Sequence, residues 1–198
     1  MAAVITSITG LQNLPNLTDF NADFNGLQSV NLSGLTNLLY VDISDNNIPG
    51  GSTNSLTSVN LSGCTALQTL RLDDSDFSAG IPSLAGLTNL YLIDFDQCSI
   101  SGVVDLSGLP VLEQLDFFGN EALTSIIIAD TQPIIELFAS NCALTETAVD
   151  DILVVLSNNG VTGGNVELNG GTSAIPSATG DAAKLVLEGN GWGVFVNP

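Results

Sequence analysis

Apolar residues recur along much of the chain in one fixed register. An apolar or small residue is followed by others at the third, sixth and eighth positions beyond it. The register reads Leu14, Leu17, Phe20 and Ala22, then Leu35, Leu38, Val41 and Ile43, then Cys64, Leu67, Leu70 and Leu72. It continues as Leu87, Leu90, Ile93 and Phe95, as Leu109, Leu112, Leu115 and Phe117, and more weakly as Thr131, Ile134, Leu137 and Ala139. The last two positions of each copy alternate with a polar residue between them. That alternation predicts a short strand whose flanking side chains turn inward while the middle one meets water. Three residues past each strand stands a small or polar residue, namely Asn25, Asn46, Ser75, Cys98, Asn120 and Cys142. Placed inward, it would satisfy backbone groups that are otherwise buried without partners.

A second set of apolar alternations lies between these strands. It comprises Val30-Asn31-Leu32-Ser33-Gly34, Val59-Asn60-Leu61-Ser62-Gly63 and Val104-Asp105-Leu106-Ser107-Gly108, with Ile126-Ile127-Ile128 in the equivalent place. From Phe95 the markers fall at 95, 106, 117, 128 and 139, so one coil is about 22 residues with a strand on each side. Gly34, Gly63, Gly86 and Gly108 precede corner residues, where the chain must turn tightly. From Leu144 the period changes. Thr145 to Leu156 places Ala148, Ile152, Val155 and Leu156 on one stripe of a helix that starts with a hydroxyl cap. Residues 165–168 then read as a strand, 181–188 as a helix ended by Gly189, and 192–196 as a last strand.

With the inward polar residue included, the register is L-x-x-L-x-L-x-x-[N/C]-x-L, which resembles the leucine-rich-repeat family over residues 14–144. The resemblance implies a leucine-rich-repeat solenoid with strands on both sides of about 22-residue coils and a C-terminal helix-strand-helix-strand cap. Residues 1–13 would be an N-terminal cap, 14–144 the repeats and 145–198 the C-terminal α/β capping units of one continuous domain. Two longer coils carry Asn47-Ile48-Pro49-Gly50-Gly51-Ser52 and Ser78-Ala79-Gly80-Ile81-Pro82-Ser83-Leu84, which resemble the convex segment of plant-type repeats. The tail, with residues 169–177, 182–188 and 191–192, resembles the endings of virion-associated proteins of tailed bacteriophages and of some bacterial surface repeat proteins. That second resemblance implies a virion component, either a capsid decoration protein or a tail- or fibre-associated one. Its alternative is a secreted or cell-surface adhesion module.

Composition removes several function classes. The formal charge is -19, from 21 acidic residues against Arg71 and Lys184 alone. Such a surface repels phosphate backbones and anionic lipid, so neither nucleic-acid binding nor membrane insertion is expected. Residues 1–9 lack the basic start and long apolar centre of a secretory signal. There is no histidine, which excludes histidine-based triads, histidine zinc sites and a histidine general base. Cys64, Cys98 and Cys142 each fall on inward positions and read as buried thiols. No catalytic residue, metal ligand or cofactor is expected, and the chain is read as a non-enzyme.

The outward strand positions form rows. The central row is Asn21, Asp42, Arg71, Asp94, Asp116, Phe138 and Glu167; Asp23, Ser44, Asp73, Asp96, Phe118 and Ser140 lie on one side, and Tyr40, Thr69, Leu92, Gln114 and Glu136 on the other. These positions admit two readings, solvated strand residues around a single arginine or a partner-binding face. The second names Tyr40, Asp42, Arg71, Asp73, Leu92, Asp94, Asp96, Asp116, Phe118, Glu136 and Phe138 as candidate contacts, with the aromatic and aliphatic members as anchors. Asp94 and Asp116 would stand near the ~5 Å separation of a glycosidase pair. An open sheet offers them no water-excluding cleft. The partner would be a protein, from the virion or on a host surface, or a glycan.

Overall fold

The computed structural model describes residues 4–46 and 56–198. The expected plant-type segment Asn47–Ser52 lies outside them. The chain divides into two compact units, residues 1–100 and 101–198.

In the first unit, β1 (Asp19–Asn21), β3 (Tyr40–Asp42), β5 (Thr69–Arg71) and β6 (Leu92–Asp94) form consecutive neighbours of a parallel sheet. Each strand is three residues long, and its central side chain is buried: Phe20, Val41, Leu70 and Ile93. The next inward position is filled by Ala22, Ile43, Leu72 and Phe95, also buried. Burial of each large apolar side chain contributes roughly 1.5–3 kcal/mol, so the register is fixed by its inward rows. Phe77 adds a ring 6.2 Å from that of Phe95, tilted by 51°. In the second unit, β8 (Gln114–Asp116), β10 (Glu136–Phe138), β11 (Asn165–Glu167) and β12 (Gly193–Phe195) repeat the arrangement in parallel register. Leu115, Phe117, Leu137, Ala139, Val166 and Leu168 fill its inward rows.

The expectation of a leucine-rich-repeat solenoid with strands on both sides of every coil and a helix-strand-helix-strand cap is corrected. The fold among the described residues is α/β-like, mostly parallel sheet with two α-helices. Among the described residues, the strands outside the two rows above form just two pairs, β2 (Ser29–Asn31) with β4 (Ser58–Asn60), and β7 (Ser101–Asp105) with β9 (Ala122–Ile127). The physical reason in the first unit is chain chemistry. The segment after β5 carries Gly80 at φ +119° and Pro82, which has no N–H to give a ladder. In the second unit a helix, rather than a further strand, packs on β9.

That helix, α1 (Glu146–Asn158), starts where Thr145 Oγ1 accepts the Ala148 N–H at 3.2 Å. It buries Ala148, Val149, Ile152, Leu153 and Leu156, while Val155, expected on the inward stripe, is half-exposed. The second helix, α2 (Ala178–Gly189), begins earlier than the sequence pattern predicts because Ser177 caps it through the Thr179 N–H at 3.1 Å. Asp150 of α1 accepts both the N–H and the hydroxyl of Ser177, tying the helices together. A Cβ on Gly180 would collide with Asp150 Oδ1 and stand 2.8 Å from Pro176 Cβ, so glycine permits this approach.

The inward polar residues stitch each turn to the preceding one. Asn46 is fully buried, donates to the carbonyls of Ala22 at 3.0 Å and Ile43 at 2.9 Å, and accepts the Leu27 N–H at 2.9 Å. The Cys64 thiol donates to Leu32 O at 3.2 Å, that of Cys98 to Leu72 O at 3.1 Å, and that of Cys142 to Phe117 O at 3.3 Å. Asn46→Ala strands the Ile43 carbonyl and the Leu27 N–H in the core and leaves Ala22 O with Asn25 Nδ2 alone. It should destabilise the chain by about 3 kcal/mol in urea unfolding, whereas exposed Asn31→Ala should cost under about 1 kcal/mol.

Candidate binding face

The outward side of the first unit's sheet gathers acidic residues around one arginine. Register pairs Asn21 with Asp42, Asp42 with Arg71 and Arg71 with Asp94, so these stand in one row at the ~4.8 Å strand spacing. Beside it, Asp19, Tyr40, Thr69 and Leu92 form a second row. Two residues beyond the central row come Asp23, Ser44, Asp73 and Asp96. The structure thus gathers Tyr40, Asp42, Arg71, Asp73, Leu92, Asp94 and Asp96 on one face.

Their roles within it differ. Asp42 is buried, not solvated as its outward position implies, since it is only 9% exposed. Its Oδ1 accepts the backbone N–H of Ser44 at 3.2 Å and the Ser44 hydroxyl at 2.6 Å, and its Oδ2 accepts the Tyr40 hydroxyl at 2.9 Å. Burial, followed by the hydrogen bond to Asp42, raises the Tyr40 phenol pKa above its ordinary value. Arg71 Nη1 lies 3.5 Å from Asp94 Oδ2, with its side chain 42% exposed. An ion pair this open contributes under about 1 kcal/mol. Despite it, burial pushes the Asp94 carboxyl pKa up.

Sequence reasoning missed two members, Asp45 and Asp74. Each follows its strand by three residues and adopts left-handed backbone, at φ 51° and 54°. The same position is taken by Phe24, Gln97, Gly119, Asn141 and Gly170, all at positive φ. This turn aims Asp45 and Asp74 at Asp73, and one carboxylate oxygen from each of the three lies within 4.8 Å of the others. Oxygen donors so placed suit a hard divalent cation, although exposed acidic groups cluster commonly without one. Burial is the main cause that raises the Asp73 pKa to about 7, with the charges of Asp94, Asp45 and Asp42 adding to it. Burial and then Asp74 also raise that of Asp45.

The second unit places the other predicted residues on its own sheet. Asp116, Phe138, Glu167 and Phe195 follow one another in register, as do Gln114, Glu136, Asn165 and Gly193. Glu136 Oε2 accepts from Gln114 Nε2 at 2.6 Å, and Asn165 Nδ2 donates to Glu167 Oε1 at 3.1 Å. Phe118 is 39% exposed beyond this row. Phe195, which the sequence reading left out, is 50% exposed. Its signal was the final apolar alternation, whose strand begins one residue later than expected.

The three thiols are buried. Burial pushes the Cys142 thiol up to about 11 and raises those of Cys64 and Cys98, which keeps them protonated and unreactive. Among the described residues, no helix is long and apolar enough to cross a membrane. No protein-family model matches the chain, and a search of curated proteins finds no significant match.

A carboxyl whose folded pKa is raised lends stability while protonated and loses it as pH climbs through the folded value. For Asp73 that loss runs from the ordinary carboxyl range up to and past about pH 7. Asp73→Asn should therefore flatten the fall in thermal midpoint between pH 5 and pH 8, and stabilise the chain at pH 8 by about 2 kcal/mol. An unchanged pH profile would show that burial and the neighbouring acids do not hold this carboxyl above its ordinary range.

Proposed function

We propose that this chain is a non-catalytic binding protein whose acidic sheet face receives a cationic or polar surface of a partner protein. The observation that carries the reading is the crowding of carboxylates in the first unit. Asp42, Asp45, Asp73, Asp74 and Asp94 are held close together with Arg71 as that unit's only basic residue. Burial, reinforced by neighbouring carboxylates, opposes ionisation of Asp45 and Asp73 in the free chain, and a cationic partner would favour it. Tyr40 and Leu92, both half-exposed, supply apolar contact beside them. A glycan is the second candidate partner, favoured by the exposed phenyl rings of the second unit.

The repeated apolar register supports kinship with leucine-rich repeats at the level of sequence. Placement in a bacteriophage virion, as a decoration or tail-associated protein, rests on the resemblance of residues 169–192. The alternative is display at a bacterial surface.

Two measurements test this. Mass spectrometry of purified phage particles should find the chain as a component, and its presence in a bacterial surface fraction would support the alternative. Partner capture by the immobilised chain should weaken at least about tenfold in the triple variant Asp45→Asn, Asp73→Asn, Asp74→Asn and fall with added salt. Exposed controls Asn31→Ala and Asn60→Ala should leave capture intact; the reverse pattern would overturn the choice of face.

A further inference from the structure

The second unit's sheet face differs in kind from the first. Its central row alternates acid and ring: Asp116, Phe138, Glu167, Phe195. Glu167 therefore stands between two phenylalanines whose strands lie about 9–10 Å apart, twice the strand spacing. A guanidinium over the Phe195 ring would stand about one strand spacing from the Glu167 carboxylate. The carboxylate at the centre supplies its counter-charge.

The surroundings hold this arrangement. Asn165 Nδ2 anchors Glu167 Oε1 at 3.1 Å. Gly193, beside Asn165 in register, makes room for the Asn165 amide and, less tightly, for the last ring. A Cβ there would come 2.6 Å from Asn165 Oδ1 and 3.3 Å from Phe195 Cε2. The ring of Phe195 thus lies back along its strand over Gly193, the register partner of Asn165, yet stays 50% exposed. The one basic residue of this unit, Lys184, is 3.7 Å from Glu188 on its own helix.

The strand bearing Phe195 also ends the sheet. Among the described residues, β12 pairs with β11 on one side and with no strand on the other. Open edges of this kind accept an added strand, whose backbone gives affinity while its side chains are read on the sheet face.

We infer that the second unit binds an extended, arginine-bearing segment of a partner protein, laid along β12, with a guanidinium received by Phe195 and Glu167. This deepens the binding reading above but uses a different face. Arginine fits better than lysine because its planar, weakly hydrated head stacks on rings while it donates to a carboxylate.

The test uses the full chain and a fluorescent heptapeptide of alternating arginine and valine, followed by anisotropy. Parallel peptides carry citrulline, a neutral isostere, or N-methylated backbone, which blocks strand addition. The arginine peptide should bind, and both altered peptides should bind at least about tenfold more weakly. Phe195→Ala and Glu167→Gln should each reproduce that loss with an unchanged circular dichroism spectrum. Asp105→Asn, an exposed acid on β7, controls for general charge and should bind as the parent does. The triple Asp45, Asp73, Asp74 variant should also bind the peptide normally, so failure of the first unit's reading remains separable from failure of this one. Equal binding of arginine and citrulline peptides, or equal losses in Asp105→Asn and Glu167→Gln, would overturn the inference. So would a concentration-dependent dimer in sedimentation that Phe195→Ala abolishes, because the occupant of the edge would then be a second copy.

Discussion

Three-residue strands leave most of the backbone in turns, and many of those turns close over a dry core. Each carbonyl and N–H there needs a partner, or the fold loses of order 1–3 kcal/mol per orphan. Small inward side chains meet that need. Asn46 bridges four backbone groups of two neighbouring turns. Gln132 does likewise in the second unit, donating to Leu106 O and Leu109 O at 2.8 Å each. Thiols replace amides at Cys98 and Cys142, where one donor suffices, while Cys64 donates from a corner position that most other copies fill with leucine. Strand register, and therefore which side chains reach the open face, follows from these internal bonds as much as from the leucines.

Those side chains give the two units different chemistry on similar backbones. The first unit collects carboxylates against one arginine, so burial, reinforced by like charge, opposes ionisation on its face. The second interleaves carboxylates with phenyl rings, and its acids accept bonds from Gln114 and Asn165 instead of crowding one another. The difference arises at a few outward positions, which the core leaves free to vary.

The strand positions and inward rows were legible because burial imposes a strict period on them. Val41 and Ile43, or Leu115 and Phe117, could be assigned from alternation alone. The second-side strands were not, since Val30 and Val104 show the same alternation whether or not a neighbour can pair, and Gly80 and Pro82 interrupt the row from outside those segments. Asp42 was misread as solvated because alternation reports direction and not coverage; Tyr40 and Ser44 close over it. Asp45 and Asp74 went unseen for a conformational reason. Left-handed backbone at the third residue past a strand has no single residue signature, being occupied here by phenylalanine, aspartate, glutamine, asparagine and glycine alike. The first helix was recognisable by its stripe, but its buried face shifted toward Val149 and Leu153 because both β9 and α2 pack on it.

The buried thiols carry one more consequence. Each donates its hydrogen to a carbonyl, so alkylating the sulfur would remove that donor and oxidation would add polar bulk where none fits. The thiols are spread through the chain at positions 64, 98 and 142, and each is shielded until its own turn opens. The rate at which each sulfur is trapped by a reagent is then a clock for the breathing of one segment. The protein carries built-in reporters of where it first comes apart.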